Sequence, residues 1–342
     1  MKVKAVVFPG IEQIEIRELE LAEVKKNQIR TETLYSFVSP GTELRTLGGH
    51  YGASGQFPIV PGYSTISRIV EVGSEVRGYR VGDIVSNRRC SGFVDCYPKY
   101  GGEAGGHVFD GVCDDGAPVI LPEAAKENLL PYTVAEVAAI SYRGTMSTEP
   151  SPGEHAIVIG QGMIGAFAAE WLRLKGCLVT VCDISENRLE EARSKGFNCV
   201  SLSEPDAEER LLAFGAPGYD IVAECSGSAP GFQLALRLPR AACNNAMRRE
   251  CLTWPRLLLQ ATYIDEIPIN PCVFFKGEGI KILTPNDRLK DDRQQVVELI
   301  RRKVFDTSAY TKNVFTPEEM PEAYRKLQRR EIASAICKWK DF

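Results

Sequence analysis

"HAIVIGQGMIGAFAAEWLRLKGCLVTVCD", residues 155–183, decides the fold of this chain. An apolar run ends at Ile159, and a turn carrying Gly160, Gly162 and Gly165 follows. A stretch with helical spacing then reaches Gly176, and a second apolar run closes on Asp183. Strand, turn, helix and strand in that order predict a parallel βαβ unit. In such a turn the first glycine permits the tight bend, the second admits a pyrophosphate to the backbone, and the third lets helix and strand pack closely. The amides of the helix start, at Met163 and Ile164, then face phosphate oxygens. Asp183, about 20 residues past the turn at the end of the next strand, is placed to accept hydrogen bonds from ribose hydroxyls. A 2'-phosphate there would meet a carboxylate, so the reading is NAD(H) in preference to NADP(H). Arg188 either reaches the adenine or a phosphate or stays solvated on its helix.

The same alternation continues outward. Further apolar runs at 199–202, 219–226 and 256–263 are separated by helix-period segments, among them "SENRLEEARSKG" with Ser185 as N-cap and Gly196 as the stop. Five such strands with helices between them give a doubly wound parallel sheet of Rossmann type. Upstream, "MKVKAVVF", "IEIREL", "QIRTETLYSFV", "TISRIVEVGS" and "GHVFD" are short alternating segments broken by Gly and Pro, the signature of a separate β-rich domain. Downstream, 291–304 and 316–330 read as amphipathic helices, the second with Thr316 as N-cap and Pro317 at its first position. "SAICKWK" (334–340) reads as a strand returning to the first domain.

A length of 342 residues suits two domains. A hydrophobic content of 44%, a charged content of 25% and a net charge of -4 without long charge runs describe a folded protein and argue against a nucleic-acid partner. No apolar run has the length of a membrane span, and the N-terminus lacks a signal-peptide core, which points to the cytoplasm. The eleven cysteines include no CxxC pair and several sit in strand-like runs, so they read as buried thiols.

With these motifs in order, the chain resembles the medium-chain dehydrogenase/reductase superfamily. The likeness runs through "SPGTEL" (39–44), "FPIVPGYSTISRIVEVGSEVRGYRVGDIV" (57–85), "AEVAAIS" (135–141), the glycine turn, "DIVAECSG" (220–227) and "FTPEEMPEAYRKLQ" (315–328). It implies a GroES-like β-barrel catalytic domain over 1–125, completed by about 286–342, around a nucleotide domain over 126–285. It also implies a homodimer or homotetramer, with Ser226 beside the cofactor.

The zinc members of that superfamily hold a catalytic metal through Cys, His and a third ligand. Here "CGTD" reads "PGTE" and "GHE" reads "GYS", which puts Pro40 and Tyr63 at the first two ligand positions. Ser141, Tyr142 and Arg143 are the candidates for the third, and none is a good zinc ligand. A second site would need Cys90, Cys96, Cys113 and His107 together. No metal is expected.

Without zinc, a fixed donor must stabilise charge on the substrate oxygen. Tyr63 is the leading candidate, against a simple packing role. Thr42 and Glu43 resemble the hydroxyl and acid that follow the first zinc ligand, and Lys338 is a candidate for the base that Glu43 would orient near the cofactor. Thr42 competes with a turn role. His50, in the glycine-rich loop 45–58, is either a proton relay or a plain loop histidine. Arg143 is either an anion contact or half of an ion pair. After 240 the family's glycine turn is replaced by "AACNNAMRRECLTW", although the Gln260 to Tyr263 end remains available to the nicotinamide.

The function expected is NAD(H)-dependent interconversion of a secondary alcohol and a ketone on a polyol, sugar or bulky ring substrate, without zinc. Two alternatives are NAD(P)H-dependent reduction of an enone or quinone C=C bond, and a cofactor-binding protein that has lost catalysis.

Overall fold

The computed structural model describes residues 1–111, 117–240, 254–272, 279–285 and 290–342. These fall into two compact units, Met1–Ala139 with Arg288–Phe342, and Ile140–Asp287. The change of unit comes at 139/140, inside a helix, rather than at 125/126.

The second unit is a six-stranded, all-parallel sheet. Its strands are β10 (His155–Ile159), β11 (Leu178–Asp183), β12 (Asn198–Ser201), β13 (Ile221–Glu224), β14 (Arg256–Leu259) and β15 (Lys281–Leu283), in spatial order β12-β11-β10-β13-β14-β15. The chain order reverses beside β10, which places the glycine turn at the switch point where such sheets bind ligands. Strand alternation explains the two cores. Ala156 and Val158 of β10 pack with Ala168, Ala169 and Leu172 of helix α3 (Met163–Leu174), while Ile157 and Ile159 face the opposite side with Leu211, Leu234 and Ala235. Both faces are buried, so the strands read as continuous apolar runs. The sixth strand, β15, carries two exposed residues of three, and its pattern is too short and too polar to have been expected. Helices α4 (Glu186–Ser194), α5 (Ala207–Phe214) and α6 (Ala229–Ala235) also belong to this unit. Gly176 and Gly196, at φ +83 and +85, end α3 and α4 as predicted. The glycine-free stretch after 240 lies outside the described residues from 241 to 253.

The first unit is β-rich and mostly antiparallel. Its largest sheet runs β16 (Val314–Phe315), β17 (Ile336–Lys338), β3 (Gln28–Phe37), β5 (Thr65–Val72), β6 (Ile84–Asn87) and β9 (Val119–Ile120), with β8 (Gly106–Asp110) also on β3. Strands β1 (Lys2–Val7) and β2 (Glu15–Glu20) form one ribbon, and β4 (Ile59–Val60) and β7 (Tyr97–Pro98) another. Strand β17 adds antiparallel to β3, Ile336 beside Phe37, so the C-terminal segment does return to the N-terminal one. Helix α1 (Pro40–Leu47) was not expected from the sequence, and α2 (Ala135–Ser147) carries the chain from one unit to the other. Helix Met320–Gln328 buries Met320, Ala323, Tyr324 and Leu327, the spacing of one helical face. The interior around β3 is polar: Thr31, Thr33, Ser36, Ser67, Asn87, Glu103 and His107 are all fully buried.

Candidate functional site

In the second unit, β10 delivers the chain to Gly160, whose φ of +91 favours glycine. A Cβ on Gly160 would lie 2.8 Å from Ser226 Cα, and one on Gly165 would lie 1.8 Å from the Gly160 carbonyl oxygen. Gly162 differs: nothing lies within 4 Å of its Cβ position, and it is the N-cap of α3 with no side chain over the helix end. Close packing at the outer glycines and open space at the middle one, in front of a helix N-terminus, are what a pyrophosphate requires. The dinucleotide therefore fits these residues. Met163 and Ile164, half-buried, begin the helix.

Asp183 ends β11 and is 4% exposed. One carboxylate oxygen accepts the Gln161 N–H at 2.5 Å and the other the Ser185 N–H at 2.8 Å, which ties the acid to the turn. The Arg188 guanidinium reaches the same carboxylate at 3.5 Å, so it is neither purely solvated nor free of its own helix's neighbour.

Ser226 is exposed, with its N–H on Glu224 Oε1 at 2.8 Å. The Ser226 and Tyr263 hydroxyls donate to the same fully buried carboxylate. Burial and that carboxylate push the Tyr263 phenol up. Glu224 was not singled out from the sequence, although an acid closing an apolar strand was the available signal. Gln260 lies against α2, its Nε2 3.4 Å from the Ile140 carbonyl. Ser141 donates to the Ile164 carbonyl at 2.9 Å, and Tyr142 meets Trp171 edge-on at 5.3 Å. Arg143 is half-buried on α2.

In the first unit, the "PGTE" segment is the first turn of α1 with Ser39 as its N-cap. The Ser39 hydroxyl does not cap the helix. The Glu43 carboxylate instead accepts the Ser39 N–H at 2.7 Å, leaving Ser39 Oγ 2.7 Å from the Tyr63 hydroxyl. Tyr63 is 5% exposed, with the Arg88 guanidinium 5.5 Å from its ring centroid and Tyr100 edge-on at 5.6 Å. Burial pushes its phenol up to about 12, against the opposing pull of Ser39, Arg88 and Thr42. Thr42, half-buried, thus shares the phenol oxygen with Ser39.

Glu43 is enclosed and takes the Tyr324 hydroxyl at 2.5 Å; burial pushes its carboxyl up to about 7. This corrects the expectation that Glu43 orients Lys338. Lys338 follows the buried Cys337 on β17, faces solvent, and pairs with Asp341 at 2.6 Å. His50 is exposed on its loop, its N–H on the Arg45 carbonyl at 2.8 Å. The same loop is held by Arg45 to the Tyr51 hydroxyl at 3.0 Å and by Lys99 to the Tyr51 carbonyl at 2.6 Å. Sequence reading missed Ser39, Arg88 and Glu103. Glu103 is fully buried, bonded to Ser36 at 2.8 Å, and held well above the carboxylate range by burial and by Glu43.

The residues at the metal positions do not suit zinc. Pro40 has no donor atom, the Tyr63 hydroxyl is engaged by Ser39, and the Ser141 hydroxyl by a carbonyl. His107 is buried with Nδ1 3.2 Å from Thr33 Oγ1, and burial lowers it to about 3. The Cys90 thiol lies beside Thr65 and is pushed up to about 12. Cys113 lies outside the described residues. Among the described residues, no three His, Cys, Asp or Glu side chains are grouped to hold a metal ion.

Residues 164–243 match the zinc-binding dehydrogenase family. A sorbitol dehydrogenase of Halalkalibacterium halodurans is 28% identical over 329 residues, 91% of each chain. An L-threonine 3-dehydrogenase of Edwardsiella ictaluri is 30% identical over 203 residues, 52% of this chain and 57% of that one. The solved alcohol dehydrogenase of Thermus sp. ATN1 superposes with a TM-score of 0.81 at 18% identity, over 98% of this chain and all of that one. The chain is an oxidoreductase with the fold of that alcohol dehydrogenase. That fold joins a Rossmann domain to a catalytic domain, and Pro40 and Tyr63 stand where the motif resemblance would put metal ligands.

Proposed function

We propose that this enzyme interconverts a secondary alcohol and a ketone on a polyol, sugar or bulky ring substrate, using NAD(H) and no catalytic zinc. The observation that carries the reading is the Tyr63 phenol, held at 2.7 Å by Ser39, at the place where the motif resemblance puts a metal ligand. The likeness to a sorbitol dehydrogenase over 91% of the chain supports a hydroxylated substrate. A bound dinucleotide supplies hydride chemistry. Gly160, Gly162 and Gly165 with the α3 amides hold its pyrophosphate, and Asp183 holds its ribose. Tyr63 and Thr42 bind the substrate oxygen and carry its proton. Glu43 keeps α1 and Ser39 in place.

Transfer from deuterated nicotinamide tests the reaction. Deuterium on a carbinol carbon is the expected result, whereas deuterium β to a carbonyl would replace this reading with C=C reduction. No transfer to any of a broad panel of ketones and enones, with NADH still bound, would leave a protein that binds cofactor without catalysis. Elemental analysis finding one zinc per chain would overturn the metal-free assignment. A cytoplasmic homodimer or homotetramer belongs to the same reading, and sedimentation equilibrium measures that state. No helix among the described residues is long and apolar enough to cross a membrane.

A further inference from the structure

The cap of α1 is built in an unusual way, and the arrangement points at Tyr63. A serine at an N-cap ordinarily uses its hydroxyl on the helix amides. Ser39 has the extended backbone of an N-cap, φ -91 and ψ 94, and its carbonyl accepts the N–H groups of Thr42 and Glu43 at 3.1 and 2.9 Å. Its hydroxyl nevertheless makes no cap, because the Glu43 carboxylate holds the segment by the Ser39 N–H. The acid is itself held by Tyr324 of the helix Met320–Gln328. The result is a hydroxyl fixed by two helices and released from capping. Its partner is the Tyr63 phenol oxygen.

The second half lies on β6. Asn87 ends that strand, and Arg88, the next residue, sets its guanidinium over the Tyr63 ring at 5.5 Å. A cation on a ring face is attracted to it, and the attraction grows as the phenol gains negative charge. The groups that act on this oxygen are Ser39 and Thr42 by hydrogen bonds, Arg88 by its positive charge, and Glu43 by an opposing negative one.

We propose that Ser39 and Arg88 are positioning residues for Tyr63, Ser39 fixing the phenol oxygen and Arg88 stabilising the negative charge it takes on during proton transfer. The inference rests on the proposed role of Tyr63. The dinucleotide would supply or accept the hydride; alcohol oxidation starts once the phenol has released its proton to solvent, and the substrate O–H proton then passes to the phenolate oxygen. In ketone reduction the phenol returns that proton to the carbonyl oxygen. Ser39 and Arg88 exchange no atoms in either direction.

The test pairs kinetics with a spectroscopic readout that needs no turnover. Protein labelled with carbon-13 at the tyrosine ring carbon bearing oxygen gives one signal per phenol, and the Tyr63 signal is the one missing in Tyr63→Phe. Ser39→Ala and Arg88→Met are expected to shift that signal in the enzyme without substrate. With sorbitol as probe substrate, each is expected to lower kcat about 10-fold or more, with NADH affinity unchanged. Ser39→Thr and Arg88→Lys are expected to recover most of that loss. The pH profile of sorbitol oxidation in Arg88→Met should move to higher pH, which a merely structural role would not produce. An unmoved Tyr63 signal in both variants overturns the inference, with or without turnover of sorbitol. So does a large loss in Tyr63→Phe beside wild-type rates in Ser39→Ala and Arg88→Met. Unchanged turnover in Tyr63→Phe would instead remove the role of Tyr63 itself. Thermal unfolding of each variant identifies losses caused by misfolding, and the two conservative variants then decide.

Discussion

Two glycines in one turn separate folding from binding. On Gly165 a Cβ would press within 1.8 Å of a backbone oxygen that has no rotamer to escape into, so Gly165→Ala should lower the melting temperature and abolish NADH binding together. On Gly162 the space is open, so Gly162→Ala should fold with an unchanged melting temperature and lose affinity for NADH alone. Calorimetry and titration on the two variants check this. If Asp183 holds the ribose as proposed, Asp183→Ala should shift the NADH to NADPH affinity ratio toward NADPH by about 10-fold or more, a difference of about 1.4 kcal/mol. The glycines and Asp183 were legible because each is demanded by backbone geometry at a fixed spacing. Ser39 and Arg88 were not, because their importance lies in reaching Tyr63 across the fold, and neither local spacing nor polarity encodes that.

Among elements, the returning helix Lys290–Arg301 is fastened by a buried ion pair. Arg293, 1% exposed, donates to Glu136 Oε1 at 3.3 Å and to the Ala117 carbonyl at 2.7 Å, and the Ser86 hydroxyl donates to the same carboxylate oxygen at 2.8 Å. Removing one partner strands a buried charge, so Arg293→Met should cost about 3–5 kcal/mol in urea unfolding, and adding Glu136→Leu should recover part of it. The helix itself was plain from its apolar stripe, and Val296, Val297 and Ile300 are buried. Helix α1 was hidden because Pro40 and Gly41 open it and only eight residues follow the cap. Strand β15 was hidden because an edge strand exposed on one side loses the continuous apolar run that marked its neighbours.

At the scale of the whole molecule, buried ionisable groups in the polar interior set the response to pH. The Glu43 carboxyl rises from an ordinary 4.5 to about 7. Its contribution to stability is full below about 4.5 and is lost as pH rises through 7, because the native state then holds an enclosed charge. His107 acts in the opposite sense: lowered from 6.5 to about 3, it contributes above 6.5 and loses that contribution as pH falls. The Glu43 contribution is therefore lost between about pH 4.5 and 7, with buried Glu103 acting in the same sense and His107 in the opposite one. Over that range the urea midpoint of Glu43→Gln should gain relative to wild type as pH rises, and identical pH dependence in the two proteins would contradict the burial of Glu43. The β-rich domain and the nucleotide domain were both legible from periodicity, since alternation and continuous apolar runs differ in what they bury. The polar lining was not, because buried Thr, Ser, Glu and His look like surface residues until the sheet closes over them.

The pairing of Ile336 with Phe37 also has a meaning for biosynthesis. A ribosome delivers β3 early, yet its neighbour β17 emerges only after the entire nucleotide unit has been made. The second unit, contiguous in the chain, is free to fold while translation continues. The first must wait with the Tyr35–Phe37 end of β3 unpaired on one side, and an open strand edge is a template for the wrong partner. Interrupted synthesis should thus yield a competent dinucleotide binder attached to an aggregation-prone fragment, and chaperone demand should fall on the half of the protein that is translated first.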